Sequence, residues 1–196
     1  MLRPRVIDLS AAPGRREAWD VPTWKVYAWA VVELLFVSSS WQVSSALRRA
    51  ALVAFGAHVG KGVLLRPRLR VRFPWKLSIG DRSWIGEDVW LHNQDQLTIG
   101  HDAVLSQGTF VTTGSHAHRR DMSLITAPVV IGDGAWITAR CIVLGGSRIG
   151  VSALVTPGTV VSGEVPDGMV YGQSGGRVLR PRFMTDGLPE SRPLAQ

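Results

Sequence analysis

The sequence predicts a mainly β protein, a parallel β-helix whose chain winds through stacked triangular coils, and two observations carry that prediction. First, over residues 79–166 an aliphatic residue returns at every sixth position with two interruptions: Ile79, Ile85 and Leu91, then Ile99, Leu105 and Val111, then Ile131, Ile137, Val143, Ile149, Val155 and Val161. Second, the residue four places further on is mostly small, as at Ser83, Val89, Ala103, Thr109, Ser115, Ala135, Cys141, Ser147, Ala153 and Thr159, and Gly follows the aliphatic residue directly at positions 80, 86, 100, 132 and 150. A six-residue step fits neither a helical stripe nor strand alternation and is one of the periods of parallel β-helices. Each hexad is a short strand and a corner, and three hexads close one coil. Stacked coils bury a continuous aliphatic column that no coil buries alone.

With 196 residues the chain reads as one domain with extensions: a basic arm and apolar helical segment over 1–54, the solenoid over 55–170, and a tail over 171–196. The arm carries Arg3, Arg5, Arg15 and Arg16 among Pro4, Pro13, Gly14 and Pro22 and is expected to be irregular. Over residues 26–47 the only charge is Glu33, between Lys25 and the pair Arg48 and Arg49. The run begins too late and lacks the small-residue cleavage pattern of a signal peptide. Its second half, with Ser38, Ser39, Ser40, Gln42, Ser44 and Ser45, is too polar for a spanning helix. Two helices over 24–37 and 41–54 are expected, either capping the first coil or lying in a membrane interface. Arg66, Arg68, Arg70 and Arg72 then alternate with apolar residues, which on a strand would gather the arginines on one face. Such a face is ordinarily solvated; binding an acidic lipid or a phosphorylated carrier is the alternative.

The two breaks in the rhythm are where function is expected. In the first, residues 91–98, His92, Asn93 and Asp95 occupy corner positions that elsewhere hold small residues. In the second, Gly114, Ser115 and His116 end the rhythm, and a loop through Ala117 leaves the coil until Pro128, carrying His118, Arg119, Arg120 and Asp121. After Val161 the repeat ends, and the polar tail is expected to be disordered. The lone Cys141 sits at a small inward position, a buried core thiol in a chain suited to a reducing compartment. The formal charge of +7 favours an anionic partner. No recognition helix or aromatic–basic platform points to nucleic acid.

IGEDVW, LTIGHDAVLSQGTFVTTGSH and PVVIGDGAWITARCIVLGGSRIG resemble the hexapeptide-repeat acyltransferases. FGAHVGKGV, FPWKLSIG and the apolar N-terminal segment narrow the likeness, over residues 20–182, to acetyltransferases of colanic acid and other exopolysaccharide biosynthesis. The resemblance implies a left-handed winding and a homotrimer with active sites between subunits. It implies acetyl-CoA as acyl donor along the later coils and a saccharide hydroxyl as acceptor. The apolar segment and the basic balance add the expectation of a cytoplasmic protein in peripheral contact with the inner face of the membrane, with a lipid-linked saccharide as acceptor. The resemblance makes His116 the general base and the backbone N–H of Ala139 the oxyanion donor. Asp88, Asn93 and Asp95 match positions that hold acceptor hydroxyls, and Trp136 a channel wall. Ala139, Thr156, Pro157, Arg177 and Arg180 are the positions expected to meet the coenzyme; no metal is expected. Two departures stand out: Ala117 replaces the acidic residue that commonly follows the histidine, leaving His118 or Asp121 to shape the loop, and Gly172, Gln173, Ser174, Gly175 and Gly176 replace the usual C-terminal turn.

The chemistry agrees with that assignment. A sugar hydroxyl is a weak nucleophile at neutral pH, and a neutral imidazole on its proton is suited to removing it as the oxygen attacks a thioester. Two rivals share the fold. A carbonic-anhydrase-like metalloenzyme would draw on His92, His101, His116 and His118, but the spacing of the last two does not match that family's ligands. A non-catalytic scaffold would not need the GSH motif.

Overall fold

The structure, a computed structural model, describes residues 6–12, 16–172 and 177–181. The hexads fold as the period requires. The first coil comprises β1 (His58–Val59), β2 (Leu64–Leu65) and β3 (Arg70–Val71), and the second β4 (Leu77–Ile79), β5 (Trp84–Ile85) and β6 (Trp90–His92). The third is β7 (Leu97–Ile99), β8 (Val104–Leu105) and β9 (Phe110–Thr112). A hairpin of β10 (Gly114–His116) and β11 (Leu124–Thr126) leaves the solenoid here. The fourth coil is β12 (Val129–Ile131), β13 (Trp136–Ile137) and β14 (Ile142–Val143); the fifth is β15 (Arg148–Ile149), β16 (Leu154–Val155) and β17 (Val160–Val161). β18 (Glu164–Val165) and β19 (Met169–Gly172) begin a sixth, and β20 (Arg177–Pro181) folds back antiparallel on β19.

Stacking sorts these strands into three parallel sheets: a first containing β1, β4, β7, β12, β15 and β18, a second containing β2, β5, β8, β13, β16 and β19, and a third of β3, β6, β9, β14 and β17. Like residues fall in register. Ile79 pairs with Ile99, Ile99 with Ile131, and Ile131 with Ile149. All twelve aliphatic positions of the repeat are at most 1% exposed. The small positions are buried too, Cys141 included. Ser115 is the exception and is exposed, because the chain has already left the coil for the hairpin. The Gly after the aliphatic residue answers to close stacking: a Cβ on Gly80 would lie 2.4 Å from the His101 nitrogen one coil up. The following Asp closes the corner, as where the backbone N–H of His101 donates to Asp133 Oδ1 at 2.9 Å.

The N-terminal segment covers the open end of the first coil. α1 (Thr23–Val32) runs into a π-helical turn (Glu33–Val37), and α2 (Ser45–Ala54) returns across β1 and β2. α2 starts later than its apolar content suggests, because the Ser44 hydroxyl caps it by accepting the Leu47 N–H at 3.3 Å. Trp29, Val37 and Leu52 are buried against the solenoid, and Trp29 Nε1 donates to the Val71 carbonyl at 2.8 Å. Arg48 is not a flanking surface charge. It is buried, donating to the carbonyls of Val37, Ser39 and Gln42 and so satisfying the end of the preceding helical segment. The outward side stays apolar: Trp24 is 69% exposed, Leu34 68%, Trp41 67% and Val43 79%. Among the described residues no helix is long and apolar enough to cross a membrane.

The alternating arginines do not form one face. Arg68 sits at a corner with φ +59° and pairs with Asp88 at 2.7 Å, whereas Arg70 and Arg72 lie beyond that corner on the third sheet. Pro67 and the left-handed corner residue break the strand the alternation implies. In the tail, β20 is ordered; the expectation of disorder for its remainder, like that of an irregular arm at Arg3, Arg5 and Arg15, falls on residues outside those described.

Candidate active site

The two interruptions of the repeat meet in space. β10 and β11 pair antiparallel, matching Ser115 with Ile125 and His116 with Leu124, so the hairpin carries His116 out from the corner after β9. Gly114 leaves room there for the Gln94 side chain, which comes from the first interruption and which a Cβ at 114 would displace. Asp121 shapes the tip, accepting the Ser123 N–H at 2.9 Å, and that hydrogen bond holds its carboxyl below the usual carboxylate value. Ala117, in place of an acidic residue, is buried and donates its N–H to the Ser123 carbonyl at 2.9 Å. His118 is exposed.

The consequence is the state of the His116 ring. Nδ1 lies 2.8 Å from the Met122 carbonyl oxygen, which can only accept. The hydrogen bond therefore assigns the proton to Nδ1 and leaves the Nε2 lone pair available. A backbone carbonyl thus provides the tautomer control that the position of Ala117 cannot.

His116 borders a cavity of about 260 Å³ beneath the N-terminal cap. Trp90, His92 and Gln94 line it from the second coil, Arg70 and Arg72 from the first, and Glu33 from the π-helical turn above. Trp90 lies against Phe110 with centroids 4.9 Å apart, and His92 Nδ1 is 3.3 Å from Thr112 Oγ1. Glu33, the one charge in its apolar segment, accepts the Val71 N–H at 2.8 Å; burial raises its pKa, against the lowering effect of that bond and of Arg70 and Arg72. Of these residues the sequence assigned a catalytic role to His116, marked His92 at a break in the rhythm, and offered Arg70 and Arg72 as part of a basic face. A lone carboxylate in an apolar run and the arginines beyond Pro67 were the available signals.

The other expected site residues scatter. Asp88 is engaged by Arg68 at a corner and does not line this cavity. Asn93 is buried and used structurally, donating to the carbonyls of Phe73 at 2.7 Å and Lys76 at 3.2 Å and accepting the Phe73 N–H at 3.1 Å. Asp95 lines a separate cavity of about 410 Å³ with Asp20, Trp75 and Lys76. Trp136 is exposed on the second sheet, its Nε1 donating to Ser106 Oγ at 2.9 Å. Ala139 lies in the corner between β13 and β14, its carbonyl accepting from Gly158 at 3.0 Å and its N–H unengaged among the described residues. Thr156 and Pro157 occupy the corresponding corner one coil on, with Thr156 Oγ1 3.0 Å from Thr159 Oγ1. Arg177 and Arg180 are placed in backbone only, on β20. His116 lies beyond the C-terminal end of β9 and Ala139 before the start of β14, so the two residues flank opposite ends of a pair of neighbouring strands in the third sheet. Among the described residues no group of three His, Cys, Asp or Glu is placed to hold a metal ion; His101 instead pairs with Asp102 at 2.7 Å.

No family model matches the chain. It is 36% identical over 163 residues, 83% of this chain and 90% of the relative, to a protein of Escherichia coli (strain K12) named as a colanic acid biosynthesis acetyltransferase. It is 26% identical over 147 residues, 68% of this chain and 74% of the relative, to one from the same organism named as a lipopolysaccharide biosynthesis O-acetyl transferase. Among solved structures, a hexapeptide-repeat acetyltransferase of Vibrio cholerae O1 biovar eltor, complexed with acetyl-CoA, superposes with a TM-score of 0.75 at 25% identity, covering 82% of this chain and 88% of that one.

Proposed function

The chain belongs to the hexapeptide-repeat acetyltransferases, and from that membership we propose that it transfers acetyl from acetyl-CoA to a saccharide hydroxyl in exopolysaccharide synthesis. The observation that carries the reading is the exposed His116, held at Nδ1 by the Met122 carbonyl and bordering the cavity. In the proposed reaction Nε2 takes the acceptor hydroxyl proton as that oxygen attacks the thioester carbon. The oxyanion is met by the Ala139 N–H of a neighbouring subunit. Collapse of the tetrahedral adduct breaks the carbon–sulfur bond, and the imidazolium returns its proton to the leaving sulfur. The products are an O-acetyl saccharide and free CoA. Thr156, Pro157, Arg177 and Arg180, on the later coils, are the proposed coenzyme contacts, the arginines suiting its phosphates.

The placement of His116 after β9 and Ala139 before β14, at opposite ends of that strand pair, supports a homotrimer in which one subunit supplies the base and the next the donor. Exposed Trp84, Trp136, Ile142 and Val160 give the outer sheets the apolar surface such an assembly would cover. The acceptor is proposed to be lipid-linked and met at the cytoplasmic leaflet. Trp24, Tyr27, Leu34 and Trp41 are exposed on the cap, and they are residue types that settle at a bilayer interface. The continuous helical run of Thr23–Val32 and Glu33–Val37 reaches about 22 Å at 1.5 Å per residue, short of a span, so contact would be peripheral.

Thiol release from acetyl-CoA across a panel of mono- and oligosaccharides tests the reaction. Release that depends on the acceptor is expected; failure to bind acetyl-CoA, or release at the same rate with and without acceptor, would contradict it.

A further inference from the structure

We propose that the acceptor bears an anionic group, a carboxylate or a phosphate, which Arg70 and Arg72 bind in the cavity beside His116. This rests on the acetyl-transfer reading of that cavity and names its substrate class.

The two arginines differ from Arg68 and Arg82. Arg68 is paired with Asp88 at 2.7 Å and Arg82 with Asp102 at 2.6 Å, each carboxylate lying twenty residues on, one coil up. The positions one coil above Arg70 and Arg72 are instead Trp90 and His92. Neither Arg70 nor Arg72 has a carboxylate at ion-pair distance among the described residues. Both line the cavity.

The register of the third sheet explains how they are held. Arg70 pairs with Trp90 and Trp90 with Phe110, so the side chains form an outward ladder, and the Arg70 guanidinium lies 3.9 Å from the Trp90 ring centroid. The Arg72 guanidinium lies 5.3 Å from the Phe73 centroid. Stacking on a ring fixes the plane of a guanidinium while leaving its N–H edge to bind, the arrangement that suits a carboxylate or phosphate. The strand beneath is fixed by the N–H of Arg70 donating to the Val89 carbonyl and that of Arg72 to the Leu91 carbonyl, both at 2.9 Å.

Charge in the cavity decides the ligand's sign. Two guanidiniums face one carboxylate, Glu33, whose ionisation is disfavoured by burial. Arg70 and Arg72 are both exposed, so their guanidiniums are open to a ligand, and an anionic substituent would gain charge-assisted hydrogen bonds that a neutral sugar cannot make. His116 on the same wall would then address a hydroxyl near that substituent, which fixes the order of reactions: the negative charge must be present on the saccharide before acetylation.

The test uses the full chain and three probes, glucuronic acid, glucose 1-phosphate and glucose, with affinities measured by titration calorimetry in wild type, Arg70→Gln, Arg72→Gln and the double variant. At least one anionic sugar is expected to bind the wild type at least about tenfold more tightly than glucose, with most of that preference lost in the variants. A preference for glucuronic acid identifies a uronic-acid acceptor and one for glucose 1-phosphate a phosphorylated one. Equal binding of all three sugars to the wild type, or a preference undiminished in the double variant with its melting temperature unchanged, overturns the proposal. Anion preference in a protein that shows no His116-dependent thiol release would sink the acetyl-transfer reading and leave this site standing; His116-dependent release with no anion preference would do the reverse.

Discussion

At the scale of single residues, the site turns on how one imidazole is oriented. His116 stood out as a candidate because the hexad rhythm breaks at the GSH sequence beside a long insertion, and the resemblance supplied its proposed role as base. The group that sets its tautomer was not, since a backbone carbonyl has no sequence signature and Met122 is brought to the ring only by the tight turn around Asp121. Asp121 is accordingly a positioning residue. Asp121→Ala is expected to lower kcat about tenfold through a misplaced ring, with KM for acetyl-CoA and melting temperature little changed; a rise in KM alone would contradict that role. Asn93 was misleading for the opposite reason: an Asn where the rhythm breaks can serve a substrate or the fold, and here its amide is used by the backbone of Phe73 and Lys76.

At the scale of elements, the coils were readable because period, burial and corner chemistry agree at nearly every hexad, while the cap was readable only in outline. Its apolar run announced helices, but the burial of Arg48 depends on which carbonyls the helical turn leaves unpaired. Arg48→Ala removes hydrogen bonds to three carbonyls and leaves a void, so a loss of about 3 kcal/mol is expected in chemical denaturation; a loss under about 1 kcal/mol would mean that the cap does not depend on this side chain. The corners carry a pH signature. Hydrogen bonds from Arg82 and then His101 lower the Asp102 pKa from 3.8 to about 2. Because the folded value lies below the unfolded one, the stabilisation is present above about pH 4 and is lost as pH falls toward 2. Thermal melting between those values should fall less steeply in Asp102→Asn than in wild type, and parallel curves would exclude the ladder as a contributor.

At the scale of the whole molecule, features separate in one chain acquire a common logic. The cap leaves apolar side chains exposed, a residue of its π-helical turn lines the cavity, and the proposed base and oxyanion donor flank opposite ends of the β9–β14 pair. A sequence shows the period that builds such a solenoid but not which outer columns meet a neighbour or a bilayer, because both faces carry Trp and aliphatic residues. Light scattering should give a mass three times that of the chain. Flotation with anionic liposomes should be reduced by joint replacement of Trp24, Leu34 and Trp41 with Ser, and a monomer or unchanged flotation would contradict the respective proposals. Acetyl transfer through His116 is tested most directly by acceptor-dependent thiol release in wild type and His116→Ala. The expected result is a fall in kcat of about a hundred- to ten-thousand-fold with acetyl-CoA binding retained; turnover within a few-fold of wild type would contradict the assignment of His116 as the base.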